Sequence, residues 1–357
     1  MLTDPGHPTW PDLLTTLTAG HDLSADEVRW AMGEVMAGEA TAVQLAGFLI
    51  ALRAKGESIS EIHALADTML EHGHRIVVPG PTIDVVGTGG DRQNTVNIST
   101  MSAIVVAAAG VRLVKHGNRA ASSSSGSADV LEALGVSLDL TPDQVQQVAL
   151  DAGITFCFAR TFHPSMRFAA EARAGLGVGT AFNLLGPLTN PAQPDFAAVG
   201  VADPRVAPLV AGVFAARGTG AMVFRGRDGL DELTVSTESD VWWVRDGAVS
   251  TFALAPESVG VVRHSIEALR GGDTASNAAV VRAVLRGEPS AAREAVLLNA
   301  GAALATAAGT ADGSASAEAV TAAIARGVRE AAAAIDTGAA QETLTRWVEA
   351  TQRVASA

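Results

Sequence analysis

The run Pro79-Gly80-Pro81 interrupts regular structure and separates two parts of the chain with different hydrophobic patterns. Before it, Ser24, Thr41 and Ser58 each stand three residues ahead of a Glu or Gln and precede apolar residues at helical spacing, which is typical of a capped helix start. After it, short apolar runs alternate with helical patterns. The pattern predicts a small helical domain over residues 1–78 and a larger α/β domain over residues 79–357.

The second part predicts an α/β fold with a mostly parallel central sheet, because its strands are separated by helical segments. Helices are predicted over residues 99–109, 128–134 and 207–216, another begins at Thr141, and an Ala-rich helical region starts near Ser276. A segment near residues 165–190 is expected to join the helical domain. Strands are predicted over residues 83–86, 111–114, 154–159, 197–201, 221–224 and 241–244.

Composition excludes several classes of protein. The formal net charge is −13, and aromatic residues make up only 4% with no Tyr, so nucleic acid is not expected as a partner. The single cysteine, Cys157, excludes an internal disulfide and lies in an apolar run, which predicts a buried side chain. No secretory signal is visible and no apolar run approaches the roughly 20 residues that span a bilayer, so we expect a soluble cytoplasmic protein with no membrane partner.

The sharpest local motif is Gly87-Thr88-Gly89-Gly90-Asp91, which follows a predicted strand and precedes a predicted helix. Glycines allow positive φ and let backbone N–H groups approach an anion closely. The motif is not a dinucleotide fingerprint, because Arg92 stands at the third glycine position, and the chain contains no P-loop. A phosphate-binding loop and an ordinary tight turn both fit these residues.

Two further polar segments follow predicted strands. One runs from Lys115 to Ser123 and offers two cations, an imidazole, an amide and hydroxyls, which suit phosphate and ribose oxygens; the alternative is a solvated loop. The other contains Asp231 and Glu232, which suit Mg²⁺ beside a polyphosphate; the alternative is a solvated turn. The carboxyl ends of parallel strands are where α/β folds bind ligands, which favours a common site.

These motifs, together with Asn97-Ile98-Ser99-Thr100, the segment from Phe182 to Pro191 and the segment from Gly229 to Leu233, resemble the anthranilate phosphoribosyltransferase family over nearly the whole chain. The resemblance implies a small helical domain joined to an α/β domain, an active site in the cleft between them, and a homodimer through the helical domains. It implies transfer of the phosphoribosyl group of 5-phosphoribosyl 1-pyrophosphate (PRPP) to the amine of anthranilate, in tryptophan biosynthesis, with two Mg²⁺ ions per active site.

The resemblance also implies roles for individual residues, although it assigns no general base; His116 and Asp91 are the candidate proton acceptors. Anthranilate is expected to contact Gly87, Asn118 and Arg173, and magnesium is expected to bind Ser99, Asp231 and Glu232. PRPP is expected to contact Gly87, Gly90, Asp91, Thr95, Asn97, Ile98, Ser99, Thr100, Lys115, His116, Gly117, Asn118, Arg119, Ala120, Ala121, Ser122, Ser123 and Ser127.

Two alternatives stay open at this point. A pyrimidine nucleoside phosphorylase shares the fold and the Gly-rich loop, but it is expected to have a more Gly-rich segment after Asn118. A non-catalytic relative that binds nucleic acid is disfavoured by the net charge and by the retained acid pair. The chain departs from commoner family versions at Arg92, which affects the geometry of the Gly-rich loop, and at Met166, which affects the anthranilate channel.

Overall fold

A computed structural model describes residues 8–119 and 125–356. The N-terminal part is a bundle of four helices, and the predicted capping boxes at Ser24, Thr41 and Ser58 begin three of them. In each, the side chain of the capping residue accepts the backbone N–H of the Glu or Gln three residues later. The side chain of that Glu or Gln accepts the backbone N–H of the capping residue, so both N–H groups have a partner. The helices are α1 (Trp10–Thr18), α2 (Ala25–Ala37), α3 (Ala42–Lys55) and α4 (Ile59–Glu71).

The second part contains one seven-stranded sheet with the order β3-β2-β1-β4-β5-β6-β7. The first five strands in this order are parallel, and the last two pair antiparallel at the edge. The predicted α/β fold with a mostly parallel sheet is therefore confirmed. The strands are β1 (Ile83–Gly87), β2 (Leu113–Gly117), β3 (Ile154–Phe158), β4 (Phe196–Gly200), β5 (Gly220–Gly226), β6 (Ser239–Arg245) and β7 (Ala248–Leu254).

Two strands differ from the sequence prediction. The edge strand β7 was not predicted, because it buries only Leu254 completely and so lacks a continuous apolar run. Strand β2 is shifted along the chain, so that Lys115 and His116 lie within it and not in a loop after it. Both side chains are buried and have polar partners described below, which is why polar residues are tolerated inside this strand.

Helices cover both faces of the sheet, and short 3-10 turns connect several of them. The Ala-rich last third is helical, as predicted, whereas the short helices between residues 159 and 188 were not predicted. The helices are α5 (Ile98–Ala108), α6 (Ser127–Ala133), α7 (Pro142–Ala152), α8 (Ala159–Phe162), α9 (Ala170–Leu176), α10 (Ala207–Arg217), α11 (Thr274–Leu285), α12 (Ala291–Ala308), α13 (Ala317–Asp336) and α14 (Ala339–Ala355).

The sheet separates two apolar cores. Successive strand residues alternate between them: Val85 faces the core formed with α5 and α12, and Val86 faces the core formed with α10 and the helical bundle. Ala172 and Phe182, from the segment expected to join the helical domain, lie in the second core with residues of α2 and α3. The domain limits themselves stay a prediction.

Cys157 is free and completely buried, as the sequence predicted, and burial raises the pKa of its thiol well above the ordinary value. It therefore packs as a small apolar side chain. Among the residues that the structure describes, no helix is long and apolar enough to cross a bilayer.

Candidate active site

The carboxyl ends of β1, β2 and β5 bring the three polar motifs together. Gly89, after β1, donates its N–H to Asp231 Oδ2 at 2.6 Å, although 142 residues separate the two along the chain. The loop after β5 thus crosses the end of β4 to reach β1. A side chain at Gly200, the last residue of β4, would collide with the backbone of Asp231, so glycine is required for this close approach.

The Gly-rich loop takes a left-handed path. Gly89 and Gly90 have φ of 70° and 87°, and Arg92 and Asn94 have φ of 60° and 52°. The positive φ of Arg92 explains why glycine suits this position, since a residue with a Cβ is strained there by roughly 1 kcal/mol. At Gly87, a Cβ would collide with the Asp231 carboxylate, so this residue must also be glycine for the acid to sit against the loop.

The acid pair is enclosed, so the alternative of a solvated turn is wrong. Glu232 is 8% exposed, and it faces the backbone N–H of Ser99 at the start of α5, which favours its ionised form. Burial raises the pKa of Glu232 to about 8, against the attraction of Lys115. Burial and repulsion from Glu232 and Asp91 raise the pKa of Asp231 well above its ordinary value. Three acids thus lie close together, and the attraction of Lys115 offsets only part of the effect of burial and repulsion on the Glu232 pKa.

Lys115 lies beneath this pair and is 1% exposed. Its ammonium donates to Val85 O and, at 3.3 Å, to Ser99 Oγ. Burial lowers the pKa of Lys115, and the carboxyls of Asp84, Glu232 and Asp231 oppose that shift. These two acceptors hold the Lys115 side chain under the site, where three carboxyls favour its charged form.

Asp84 balances Lys115 from inside the sheet, and sequence reasoning missed it. It accepts hydrogen bonds from the His116 N–H at 3.2 Å and from Asn190 Nδ2 at 2.8 Å. Burial raises its pKa to about 6, although Lys115 and these donors favour the ionised form. A carboxylate within the apolar strand Ile83–Gly87 is the signal that could have identified it, because such a charge is retained only with partners.

His116 is a poor candidate for the proton acceptor. Its Nδ1 is 2.9 Å from Gly186 O, and its ring packs edge-on against His163 with centroids 5.2 Å apart. Burial, with repulsion from His163, lowers the pKa of His116 to about 3, so the ring is neutral at physiological pH and accepts a proton weakly. Its Nε2 is buried without a hydrogen-bond partner among the described residues. Asp91 stays the other candidate.

Other expected PRPP contacts surround the loops. Asn97 precedes α5 and donates to Ser125 O at 3.1 Å, and Thr95 pairs with Arg270 in a short bridge. The remaining expected residues are placed as follows: Ile98 and Thr100 are buried in the first turn of α5, Gly117 ends β2, Ser127 begins α6, Asn118 is exposed, and Ala120, Ala121, Ser122 and Ser123 lie outside the described residues.

Arg119 is held away from an anion in this structure. Its guanidinium bonds both carboxylate oxygens of Glu132, at 2.6 and 2.8 Å, and Asp129 at 2.9 Å. These hydrogen bonds raise the pKa of Arg119. A phosphate at Arg119 would therefore compete with these two carboxylates for the guanidinium.

Arg173 lies on α9. The residue is exposed, and desolvation lowers the pKa of its guanidinium from the ordinary value. No ion pair or hydrogen bond of the described residues ties it to a carboxylate or to the three motifs. Its guanidinium is therefore available to a ligand carboxylate.

The donor set fits magnesium. Within residues 8–119 and 125–356, no three His, Cys, Asp or Glu side chains form a ready-made metal site. Mg²⁺ instead takes one or two carboxylates and completes its shell with water and substrate phosphate oxygens. Asp231 and Glu232 are two enclosed acids that repel each other, and a divalent cation would neutralise that repulsion.

This burial predicts a pH dependence of stability. Glu232 binds a proton up to about pH 8 in the folded protein, against an ordinary value of 4.5, so the folded state holds more protons than the unfolded state. The free energy of unfolding should fall between pH 6.5 and 8, by as much as about 1.4 kcal/mol per pH unit. The buried histidines have lowered pKa values and act with the opposite sign only below about pH 6.5.

Urea unfolding of the ligand-free protein at several pH values checks this expectation. The Glu232→Gln variant is the control, and its stability should change much less over the same range. A wild-type stability that is flat or rising from pH 6.5 to 8 would contradict the buried, protonated acid.

Comparison with known proteins agrees with this architecture. The family model of the glycosyl transferase helical bundle domain matches residues 11–73, and that of the glycosyl transferase a/b domain matches residues 79–341. An anthranilate phosphoribosyltransferase from Nocardioides sp. is 58% identical over 345 residues, which cover 97% of this chain and 99% of that protein. One from Streptomyces griseus is 57% identical over 343 residues, which cover 96% of this chain and 95% of that protein.

Solved structures give the same result. The anthranilate phosphoribosyltransferase of Thermus thermophilus superposes with a TM-score of 0.87 at 41% identity, covering 96% of this chain and 99% of that chain. The enzyme of Saccharomyces cerevisiae in complex with PRPP and Mg superposes with a TM-score of 0.85 at 25% identity, covering 96% and 98%.

Proposed function

We propose that this chain, which belongs to the anthranilate phosphoribosyltransferase family, transfers the phosphoribosyl group of PRPP to the anthranilate amine. The products are N-(5′-phosphoribosyl)anthranilate and pyrophosphate. The observation that carries the proposal is the meeting of the Gly-rich loop, buried Lys115 and the enclosed acid pair at one edge of the sheet. Relatives named anthranilate phosphoribosyltransferase, which are similar over nearly the whole chain, support the same reaction.

The chemistry requires charge stabilisation at both ends of the bond that breaks. As pyrophosphate leaves C1′ of the ribose, negative charge grows on its oxygens and positive charge on the sugar. Magnesium, when bound, supplies a Lewis acid for the departing oxygens. The chain adds backbone N–H groups of the Gly-rich loop and the Lys115 ammonium, which are held in place before the reaction begins.

The acceptor needs little activation. The anthranilate amine is an aniline, whose lone pair is free at neutral pH, so attack at C1′ does not require a strong base. This fits a site in which His116 is buried and weakly basic. The main work of the chain is then to hold two substrates in line and to keep water from the sugar cation.

The proposal extends to three finer features. Asp231 and Glu232 contact different neighbours, Gly89 and Ser99, which supports two separate Mg²⁺ positions per site. Val43 and Ile50 on α3 are 83% and 39% exposed, and such apolar residues support a homodimer through the helical domain. A phosphorylated sugar that does not cross membranes supports a cytoplasmic location.

A fluorescence assay tests the proposed function. When purified protein is mixed with anthranilate, PRPP and Mg²⁺, the fluorescence of anthranilate should decrease as it is consumed. Omission of any one component should abolish this decrease. The same protein with thymidine or uridine and inorganic phosphate should release no free base. Phosphorolysis of a nucleoside without anthranilate consumption would instead identify a pyrimidine nucleoside phosphorylase.

Arg173 is expected to bind the anthranilate carboxylate. Arg173→Ala should raise the anthranilate KM about 10- to 100-fold, because a charge-assisted hydrogen bond contributes roughly 1.5–3 kcal/mol, and should change the PRPP KM much less. Arg173→Lys should recover only part of the loss, since an ammonium cannot bind a carboxylate with two parallel bonds. Steady-state kinetics with each substrate varied in turn measures both constants.

Arg167→Ala is the matched control. Arg167 is a nearby arginine that stacks on Phe168, 4.4 Å from the ring centre, and its loss should leave the anthranilate KM within about twofold. Equal effects of the two alanine variants, or a silent Arg173→Ala, would contradict the assignment.

A further inference from the structure

Helix α12 (Ala291–Ala308) packs in the α/β core. Near the middle of this helix, one polar side chain forms hydrogen bonds to a residue outside the helix. That residue is Asn299, which is 1% exposed and is surrounded by buried Ala and Leu residues of the same helix. Burial of an amide among apolar side chains is unfavourable unless its donors and acceptor are all used. Its partners therefore indicate what it is for.

Asn299 binds both backbone polar groups of a single residue. Its Oδ1 accepts the Leu233 N–H at 3.0 Å, and its Nδ2 donates to Leu233 O at 2.9 Å. The second Nδ2 hydrogen goes to Ala295 O, also at 2.9 Å, one turn earlier in α12. The Asn299 side chain thus bonds the Leu233 backbone as a neighbouring strand would. The amide oxygen and both amide hydrogens of Asn299 have partners.

The position of Leu233 makes this contact relevant to the site. Leu233 directly follows Glu232 and is completely buried, and it lies in the irregular segment between β5 and β6. On the other side of the acid pair, Gly89 holds the Asp231 carboxylate. The pair is therefore fixed at one end by the Gly-rich loop and at the other by α12.

We propose that Asn299 is a positioning residue for the Asp231–Glu232 pair, holding Leu233 so that both carboxylates face the metal-binding position. The inference rests on the proposed function in one respect, that the pair binds Mg²⁺ together with PRPP. Residues that orient metal ligands without touching the metal commonly change metal affinity or activity about 10- to 100-fold when replaced.

Three variants separate positioning from simple stability. Asn299→Ala removes both bonds to Leu233. Asn299→Asp keeps the volume, and its buried carboxyl stays protonated and retains one donor, so its effect should be intermediate. Thr306→Val is the control: Thr306 lies on the same helix and is 1% exposed, and its hydroxyl bonds only within the helix, to Ala302 O at 2.8 Å.

The test measures Mn²⁺ binding in the presence of PRPP by electron paramagnetic resonance, together with the Mg²⁺ concentration that gives half-maximal turnover and the melting temperature. Asn299→Ala should weaken Mn²⁺ binding and raise the Mg²⁺ requirement about 10-fold or more, with the anthranilate KM within about twofold of wild type. Thr306→Val should lower the melting temperature without moving either metal readout.

Unchanged Mn²⁺ binding and Mg²⁺ requirement in folded Asn299→Ala and Asn299→Asp would overturn the proposal, as would an equal change in Thr306→Val. If Asn299→Ala does not fold, the comparison of Asn299→Asp with Thr306→Val decides by the same criterion. The proposed function fails separately: wild-type protein would then bind Mn²⁺ and PRPP but consume no anthranilate.

Discussion

Replacing both acids, Asp231→Asn with Glu232→Gln, is expected to abolish transferase activity and to stabilise the ligand-free protein. Loss of a bound Lewis acid removes several kcal/mol of transition-state stabilisation, which corresponds to a turnover reduced at least about 1000-fold. The two amides keep the shape of the side chains but remove the repulsion and desolvation that raise both pKa values. The melting temperature should therefore rise as activity disappears, as is common where a site is built at the expense of stability.

The matched control is Glu238→Gln with Asp240→Asn. These acids lie close to the site in sequence but are exposed and pair with Arg227, and exposed ion pairs contribute little. Activity should stay near the wild-type value, and the melting temperature should change only slightly. Turnover by the Asp231→Asn/Glu232→Gln variant above a few per cent of wild type, or a clear fall in its melting temperature, would contradict the role assigned to the pair.

Lys115→Met is expected to destabilise the protein by about 3–5 kcal/mol, because removal of one of two buried charges that attract each other, Lys115 and Asp84, leaves the other uncompensated. Among the described residues, Lys115 is the cation that favours the ionised form of Asp84, and Asp84 would lose it. Adding Asp84→Asn should restore part of the stability, since the unpaired charge is then removed as well. Urea unfolding at pH 7 of the two single variants and the double variant measures this coupling.

Substrate binding distinguishes Lys115 from a structural lysine. Lys55, the other lysine of the chain, is also enclosed, and it forms an ion pair with buried Glu61 at 2.8 Å in the helical bundle. Lys55→Met should also destabilise the protein but leave the PRPP KM unchanged, whereas Lys115→Met should raise it. If Lys115→Met with Asp84→Asn regained wild-type PRPP binding, the ammonium would have no part in the electrostatics of the site.

The sequence predicted the framework of the site because local rules govern it. Capping boxes located bundle helices, and glycines after a strand located the Gly-rich loop. The positive φ values of Gly89 and Gly90 are a local property of the backbone, so glycine in the sequence is enough to indicate them. The acid pair was associated with this loop because both follow strands of one parallel sheet, and Gly89 does contact Asp231. Its burial could not be read from the sequence, since the same Asp-Glu dipeptide also suits an exposed turn.

The residues that sequence reasoning missed act over long distances in the chain. Asn190 reaches Asp84 across 106 residues, and Asn299 reaches Leu233 across 66. An asparagine in a helical or loop pattern carries no local sign of such a partner, because its amide is satisfied only after the sheet and α12 have packed. The partners of Arg119 were missed for a similar reason. The cations between Lys115 and Ser123 suggested a phosphate ligand, but in this structure the Arg119 guanidinium pairs with Asp129 and Glu132 of α6.

Phosphorus NMR of PRPP with anthranilate, Mg²⁺ and the purified protein tests the central claim most directly. We expect the pyrophosphoryl resonances of PRPP to convert to free pyrophosphate in step with anthranilate consumption, one for one, and almost no pyrophosphate to form when anthranilate is left out. Pyrophosphate released at the same rate without anthranilate would show hydrolysis by water in place of transfer, and it would contradict a site built to hold two substrates and exclude water.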